Sequence, residues 1–151
     1  PEAAAETIEN NVRRSIIEKS SKNPLYYAKM SELLEKLIEE RKKNKDEYKD
    51  YLRKIVELTK KVERPEDFVS YPDKIKNSPA KRALYDNLPD SMRRTEVVLE
   101  LHEKIIATKP DKWIGDKTKE RVVRSGIRSI LVEDKLVREI FEIVKKQREY
   151  R

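Results

Sequence analysis

The sequence predicts an all-α fold: a single helical-bundle domain of about six to seven helices with a long antiparallel hairpin. Three observations support this fold class. The 151 residues include only two glycines, and Leu, Ile, Glu, Lys and Arg are abundant, a composition that favours helix over sheet. Apolar residues recur every three or four positions, and no segment alternates as a half-buried strand would. The length suits one domain, so residues 1–151 are interpreted as a single helical domain.

The first helix is predicted before the SSKN segment at residues 20–23. Its three alanines, Ala3 to Ala5, favour a helical first turn. Ile8, Val12 and Ile16 then fall on one face.

The long hairpin is predicted over residues 23–65. Asn23 is a good N-cap, and Pro24 occupies the first helical position, where its missing N–H costs nothing. Asn44 or Asp46 in the junction RKKNKDE can end one helix and cap the next, and Pro65 closes the second. The two apolar stripes are Tyr26, Tyr27, Met30, Leu33, Leu34, Leu37 and Ile38, then Tyr48, Tyr51, Leu52, Ile55, Leu58, Thr59 and Val62. Leu33, Leu34, Leu37 and Ile38 are expected to build the core of the hairpin.

The rest of the chain is predicted to fold as short helices followed by three longer ones. Four prolines in residues 63–91 indicate short helices and ordered turns, with a helix start at Ser78 and Pro79. A helix follows to residue 108. After a turn that holds Trp113 and Gly115, Asp116 can cap another helix to about Val132, and the last helix runs to about residue 150.

Charge and composition limit the partners. The formal net charge of +7 suits a nucleic acid or an acidic protein surface, and also a protein with no charged partner. The absence of cysteine excludes disulfides and thiolate metal sites, and it fits a cytoplasmic protein. No apolar run approaches the ~20 residues of a membrane span. The start PEAAAETIENN, without methionine, leads us to expect a fragment of a longer polypeptide.

No sequence motif indicates catalysis. There is no phosphate-binding loop, dinucleotide fingerprint, HExxH pattern or nucleophile motif. His102 is the only histidine, and its place on an apolar face favours a packed role over a metal ligand. Most carboxylates have a Lys or Arg at helical distance, as paired surface ions do. We therefore interpret this segment as non-catalytic, with no metal site and no cofactor of its own.

The aromatic residues have two interpretations each. Tyr26, Tyr27, Tyr48 and Tyr51 could stack on nucleic-acid bases, but their spacing matches the core stripe and favours a packed hairpin end with hydroxyls in water. Trp113 in DKWIGDK can plug the core or anchor a partner, because tryptophan is enriched in binding hot spots. The structural role is preferred for Trp113, and the partner-binding role stays open.

The segment KTKERVVRSGIRSIL carries the clearest candidate for a binding surface. At about 100° per residue, four cations fall along one side of the helix, with no acid in the row: Lys117, Arg121, Arg124 and Arg128. Val122, Val123, Ile127 and Ile130 lie opposite, and Gly126 suggests a close helix contact or a kink. The row is either a solvated face or a surface that binds DNA phosphates or an acidic protein. Three or four phosphate contacts predict a log–log salt slope of about −3 to −4 on duplex DNA.

Six segments, in this order, resemble the C-terminal helical region of the restriction (R) subunit of type I restriction–modification enzymes. They are TIENNVRRSIIEKS, NPLYYAKMSELLEKLIEERKK, YKDYLRKIVELTKKV, KRALYDNL, KPDKWIGDKTKERVVRSGI and IFEIVKKQREY. The resemblance spans nearly the whole chain. Its most specific parts are KRALYDNL, NPLYY, IENNV and the tryptophan–x–glycine turn.

The resemblance implies a function for the parent chain. The full R subunit is an ATP-dependent DNA translocase and endonuclease that uses ATP and Mg. Its nuclease and motor domains precede the helical region, and their motifs do not occur in this sequence. In the family this region helps attach the motor subunit to the methyltransferase core of modification and specificity subunits. The resemblance thus implies protein partners, with DNA as a further candidate, and we expect neither a membrane nor a small-molecule substrate as partner.

Overall fold

The computed structural model describes residues 2–45 and 47–151, and the regular secondary structure in those residues is entirely helical, which confirms the all-α prediction. Seven α-helices have nine or more residues, and two more are single turns in the proline-rich region. The two single turns account for the excess over the six to seven helices predicted. The helices are α1 Glu2–Ser20, α2 Pro24–Lys42, α3 Tyr48–Glu63, α4 Pro65–Phe68, α5 Asp73–Lys76, α6 Pro79–Asn87, α7 Thr95–Thr108, α8 Lys117–Leu131 and α9 Asp134–Lys145.

The helix starts follow the capping residues in the sequence. The side chains of Asn23, Ser78 and Asp116 each accept a hydrogen bond from a backbone N–H of the first turn. At the hairpin junction α2 ends at Lys42, and Asn44 adopts a positive φ of 54°. Asp46, the other residue considered for this junction, lies outside the described residues.

The chain forms two compact units, Pro1–Ser70 and Tyr71–Arg151, called unit 1 and unit 2 below. Unit 1 contains α1 to α4, and unit 2 contains α5 to α9 with a short 3₁₀ helix, Arg148–Tyr150. The expectation of one domain over residues 1–151 stays a prediction. No helix among the described residues is long and apolar enough to cross a membrane.

In unit 1, α2 and α3 form the predicted antiparallel hairpin. The Tyr26 hydroxyl donates to the Lys61 carbonyl at 2.7 Å, and the Tyr27 hydroxyl donates to the Val62 carbonyl at 3.2 Å, so the start of α2 lies against the end of α3. The expectation that these hydroxyls reach water was wrong for both tyrosines. Their rings are buried, and a buried hydroxyl is stable only with a hydrogen-bond partner.

A buried ion pair joins α1 to this hairpin. Arg41 donates to both carboxylate oxygens of Glu9, at 2.6 and 3.0 Å, and the Tyr51 hydroxyl donates to the same carboxylate at 2.8 Å. Burial alone would raise the pKa of Glu9, but the hydrogen bonds from Arg41 and Tyr51 outweigh it and hold the pKa below its ordinary value. Removing one partner would leave the other charge buried and unpaired, which is strongly destabilising.

The apolar stripe of α2 is narrower than the sequence predicts. Leu34 is 1% exposed and lies in the core of unit 1, whereas Leu33 is 41% exposed and Leu37 is half-buried. Leu33 and Leu37 line a shallow surface groove between α2 and α3, together with charged residues such as Lys36 and Lys54. The prediction that Leu33 lies in the core was therefore wrong. The apolar face of α2 is wider than the part of it that α1 and α3 cover.

Unit 2 packs α8 against both α7 and α9, while α6 also contacts α7 and α9. The last helix ends at Lys145 rather than near residue 150. Beyond it the chain forms the 3₁₀ helix, which places Tyr150 in the core.

His102 is half-buried, and its Nδ1 lies 2.7 Å from the Tyr150 hydroxyl. Burial and the nearby Lys81 lower the pKa of His102, consistent with a packed, neutral imidazole.

Replacement of Leu34 by alanine tests the core of unit 1. Because Leu34 is fully buried, we expect Leu34→Ala to lower the free energy of unfolding by about 2–5 kcal/mol in a denaturant titration. Leu33→Ala is the matched control on the neighbouring position, and it should cost less than about 1 kcal/mol because that side chain stays partly in water. Equal losses for the two variants would contradict this placement.

Candidate interaction surface

Trp113 anchors the turn that precedes α8. Its side chain is 1% exposed, its ring centroid lies 6.0 Å from that of Phe141, and its indole Nε1–H donates to the Tyr150 carbonyl at 2.6 Å. Of the two roles that the sequence left open, the structure therefore supports the core role. In this conformation the Trp113 side chain is not free to enter a partner's pocket.

The turn itself needs unusual backbone angles. Lys112 has φ 52° and Gly115 has φ 92°, both in the left-handed region, and the Asp116 N–H closes the turn on the Trp113 carbonyl at 3.2 Å. Glycine adopts such angles at little cost, which explains its use at position 115. The Asp116 side chain then accepts from the Lys119 N–H at 3.1 Å and starts α8, as predicted.

Glu120 ties the first turn of α8 to its surroundings. Its carboxylate accepts from the Gly115 N–H at 2.8 Å and lies 3.5 Å from the Lys145 ammonium of α9. The hydrogen bond from Gly115, followed by the charge of Lys145, lowers the pKa of Glu120 below its ordinary value. The turn, α8 and α9 thus share one polar contact point at their common end.

The inner face of α8 holds the helix in unit 2. Val123, Ile127 and Leu131 are buried, whereas Val122, predicted on this face, is 43% exposed. A Cβ atom added at Gly126 would lie 3.2 Å from Lys104 Cγ, closer than a comfortable contact. The predicted close helix contact at Gly126 is therefore confirmed, and α7 is the neighbour.

The outer row of α8 contains the four predicted cations, but they are not equivalent. The guanidinium of Arg124 lies 4.4 Å from the Phe141 ring centroid, a cation–π contact that leaves it half-buried. Arg128 Nε lies 3.6 Å from an Asp134 carboxylate oxygen. Lys117 and Arg121 are exposed and, within the described part of the chain, form no ion pair. The row is free of acids along the helix, as predicted, but not in space, because Asp134 reaches it from α9.

A groove beside this turn adds cations that the sequence analysis did not select. We call it the C-terminal groove, and it is lined by Lys112, Trp113, Ile114, Lys145, Lys146 and Arg151. These residues meet only because the last residues of the chain fold back onto Trp113. Their spacing in the sequence therefore does not indicate a common surface.

Neither a metal centre nor a known relative adds to this geometry. Within residues 2–45 and 47–151, no three His, Asp or Glu side chains are grouped as metal ligands. The chain matches no protein-family model, no curated protein and no solved structure.

Proposed function

We propose that this chain is a non-catalytic helical assembly module of the R subunit of a type I restriction enzyme. In this proposal it docks the motor and nuclease domains onto the methyltransferase core of modification and specificity subunits. The ordered resemblance of six segments supports the family, and KPDKWIGDKTKERVVRSGI is the segment that forms the Trp113 turn and the outer row of α8. ATP, Mg and the site-specific deoxyribonuclease activity belong to the parent chain, and this role implies a cytoplasmic location.

One observation carries the docking role: two exposed, unpaired cations stand on a helix end that buried contacts hold in place. Lys117 and Arg121 follow a turn anchored by Trp113 and a cap made by Asp116. A rigid surface loses little conformational entropy when it binds, and its positive charge favours an acidic partner surface. Such charge speeds association with an acidic surface, and its reversal places like charges against each other, which opposes binding.

A pull-down with purified modification and specificity subunits tests the docking role. The chain, immobilised through a tag, should retain these subunits both with and without DNA. We expect the double change Lys117→Glu with Arg121→Glu to weaken retention at least tenfold, because it reverses both exposed charges and touches no buried contact.

The matched control reverses two exposed lysines in unit 1, Lys29→Glu with Lys49→Glu, which changes the net charge equally. This control should retain the subunits as the unaltered chain does. Absence of retention by the unaltered chain would refute the docking role, and equal losses in both double variants would assign the effect to net charge alone.

Direct DNA binding is the second candidate function, and the same two exposed cations favour it. Each phosphate neutralised on duplex DNA contributes about −0.9 to the slope of log K against log salt. Because Arg124 packs on Phe141 and Arg128 faces Asp134, two contacts are expected in place of three or four. The slope should then be about −2 rather than −3 to −4.

Fluorescence anisotropy with a labelled duplex, repeated over a salt series, measures this slope. We expect Arg121→Ala to make it shallower by about 1, because one phosphate contact is lost. Lys29→Ala should leave it unchanged. An absence of binding at low salt would exclude the DNA-binding function for this chain.

A further inference from the structure

The C-terminal groove combines a positive rim with an apolar wall. Lys112, Lys146 and Arg151 are exposed, and their side chains form no ion pair among the described residues. Lys145 differs, because its ammonium lies 3.5 Å from Glu120 and 3.8 Å from Glu142. The groove thus carries three exposed cations that form no ion pair within the described chain.

The apolar part of the groove comes from the Trp113 turn. Ile114 is 40% exposed there, although it is a large aliphatic residue next to a buried tryptophan. Ile114 and Trp113 form the apolar part of a groove whose other lining residues are cations, so an apolar group bound there would remove Ile114 from water. A ligand that offers only phosphate groups would pair with the cations but would leave the Ile114 side chain exposed to water.

Base stacking is not supported by this geometry. A stacking platform needs an accessible aromatic face, and Trp113 is 1% exposed with its edge hydrogen-bonded to the Tyr150 carbonyl. Trp113 therefore lines the groove without exposing an aromatic face on which a base could stack. The groove therefore suits a protein segment better than single-stranded nucleic acid.

The walls of the groove are fixed by hydrogen bonds from three directions. Trp113 holds the Tyr150 carbonyl, and the Ser78 hydroxyl donates to Glu149 at 2.6 Å. The Lys109 ammonium lies 3.4 Å from the Arg151 main-chain oxygen. These contacts hold the Trp113 turn and the main chain at Arg151 before any partner arrives, so binding orders only the exposed side chains of Lys112, Lys146 and Arg151.

We propose that the C-terminal groove binds an acidic segment of a partner protein, in which an apolar side chain covers Ile114 and flanking Asp or Glu side chains meet Lys112, Lys146 and Arg151. This inference rests on the proposed docking function and identifies a surface for it. It differs from that function in naming the chemistry of the segment bound: carboxylates on both sides of a central apolar pair, one of whose side chains covers Ile114.

Peptide binding tests the groove without the methyltransferase subunits. The probes are two fluorescein-labelled peptides, EDELFDEE and EDESSDEE, which have the same charge and differ in the central apolar pair. The full 151-residue chain should bind EDELFDEE at least tenfold more tightly, because only that peptide covers Ile114. Affinity for both peptides should fall with added salt, since the rim contacts are ionic.

Three variants assign the binding to the groove. Lys112→Glu with Lys146→Glu should weaken EDELFDEE binding at least tenfold, and Ile114→Ser should remove most of the difference between the peptides. Lys29→Glu with Lys49→Glu, the charge-matched control in unit 1, should bind as the unaltered chain does. Circular dichroism melts confirm that each variant is folded.

Several outcomes would overturn the proposal: no binding of either peptide, equal binding of both, no effect of the groove variants, or tighter binding of a single-stranded oligonucleotide of equal charge. None of these outcomes depends on the pull-down. Retention of the methyltransferase subunits without selective peptide binding would therefore remove the groove proposal and keep the docking function. Selective peptide binding without retention of the subunits would refute the docking function and keep the proposed chemistry of the groove.

Discussion

The hydrogen bond from the Trp113 indole to the Tyr150 carbonyl is the contact on which the candidate interaction surface of unit 2 depends. It is short, 2.6 Å, and both residues are buried, so an unmade bond would leave a polar group without a partner in the core. This hydrogen bond joins the turn before α8 to residues 150–151. The start of α8, with Lys117 and Arg121, and the C-terminal groove both take their geometry from that pairing.

The charges of unit 2 divide into internal and external ones because of this packing. Arg124 lies on the Phe141 ring, and Lys145 faces Glu120, so these cations stabilise the contact between α8 and α9. Lys117, Arg121, Lys112 and Lys146 have no such partner in the described chain and face outward. The exposed cations thus occupy defined positions on unit 2, which the net charge of +7 alone does not describe.

The local structure could be predicted from the sequence because its causes are local. The period of apolar residues located every long helix, and the capping side chains of Asn23, Ser78 and Asp116 located three helix starts. The narrower stripe of α2 could not be predicted, since the exposure of Leu33 depends on how much of the helix its neighbours cover. Sequence spacing defines a face, but tertiary packing decides its width.

Contacts between helices limited the prediction of the candidate surface. The row on α8 was correct as a row, yet Phe141 and Asp134 come from the following helix and take up Arg124 and Arg128. The C-terminal groove could not be predicted for the same reason, because residues 112–114 meet residues 145–151 only in the folded chain. Trp113 was predicted with two roles, and only the position of Tyr150 distinguishes them.

Hydrogen exchange of the Trp113 indole N–H, followed by NMR in D₂O, tests the central claim most directly, since Trp113 is the only tryptophan. A buried, hydrogen-bonded indole should exchange only through large opening or unfolding of unit 2, as slowly as the backbone amides of α8 near Ile127. Loss of the indole signal within the dead time, while those amides stay protected, would show that Trp113 is open to solvent and would contradict the account.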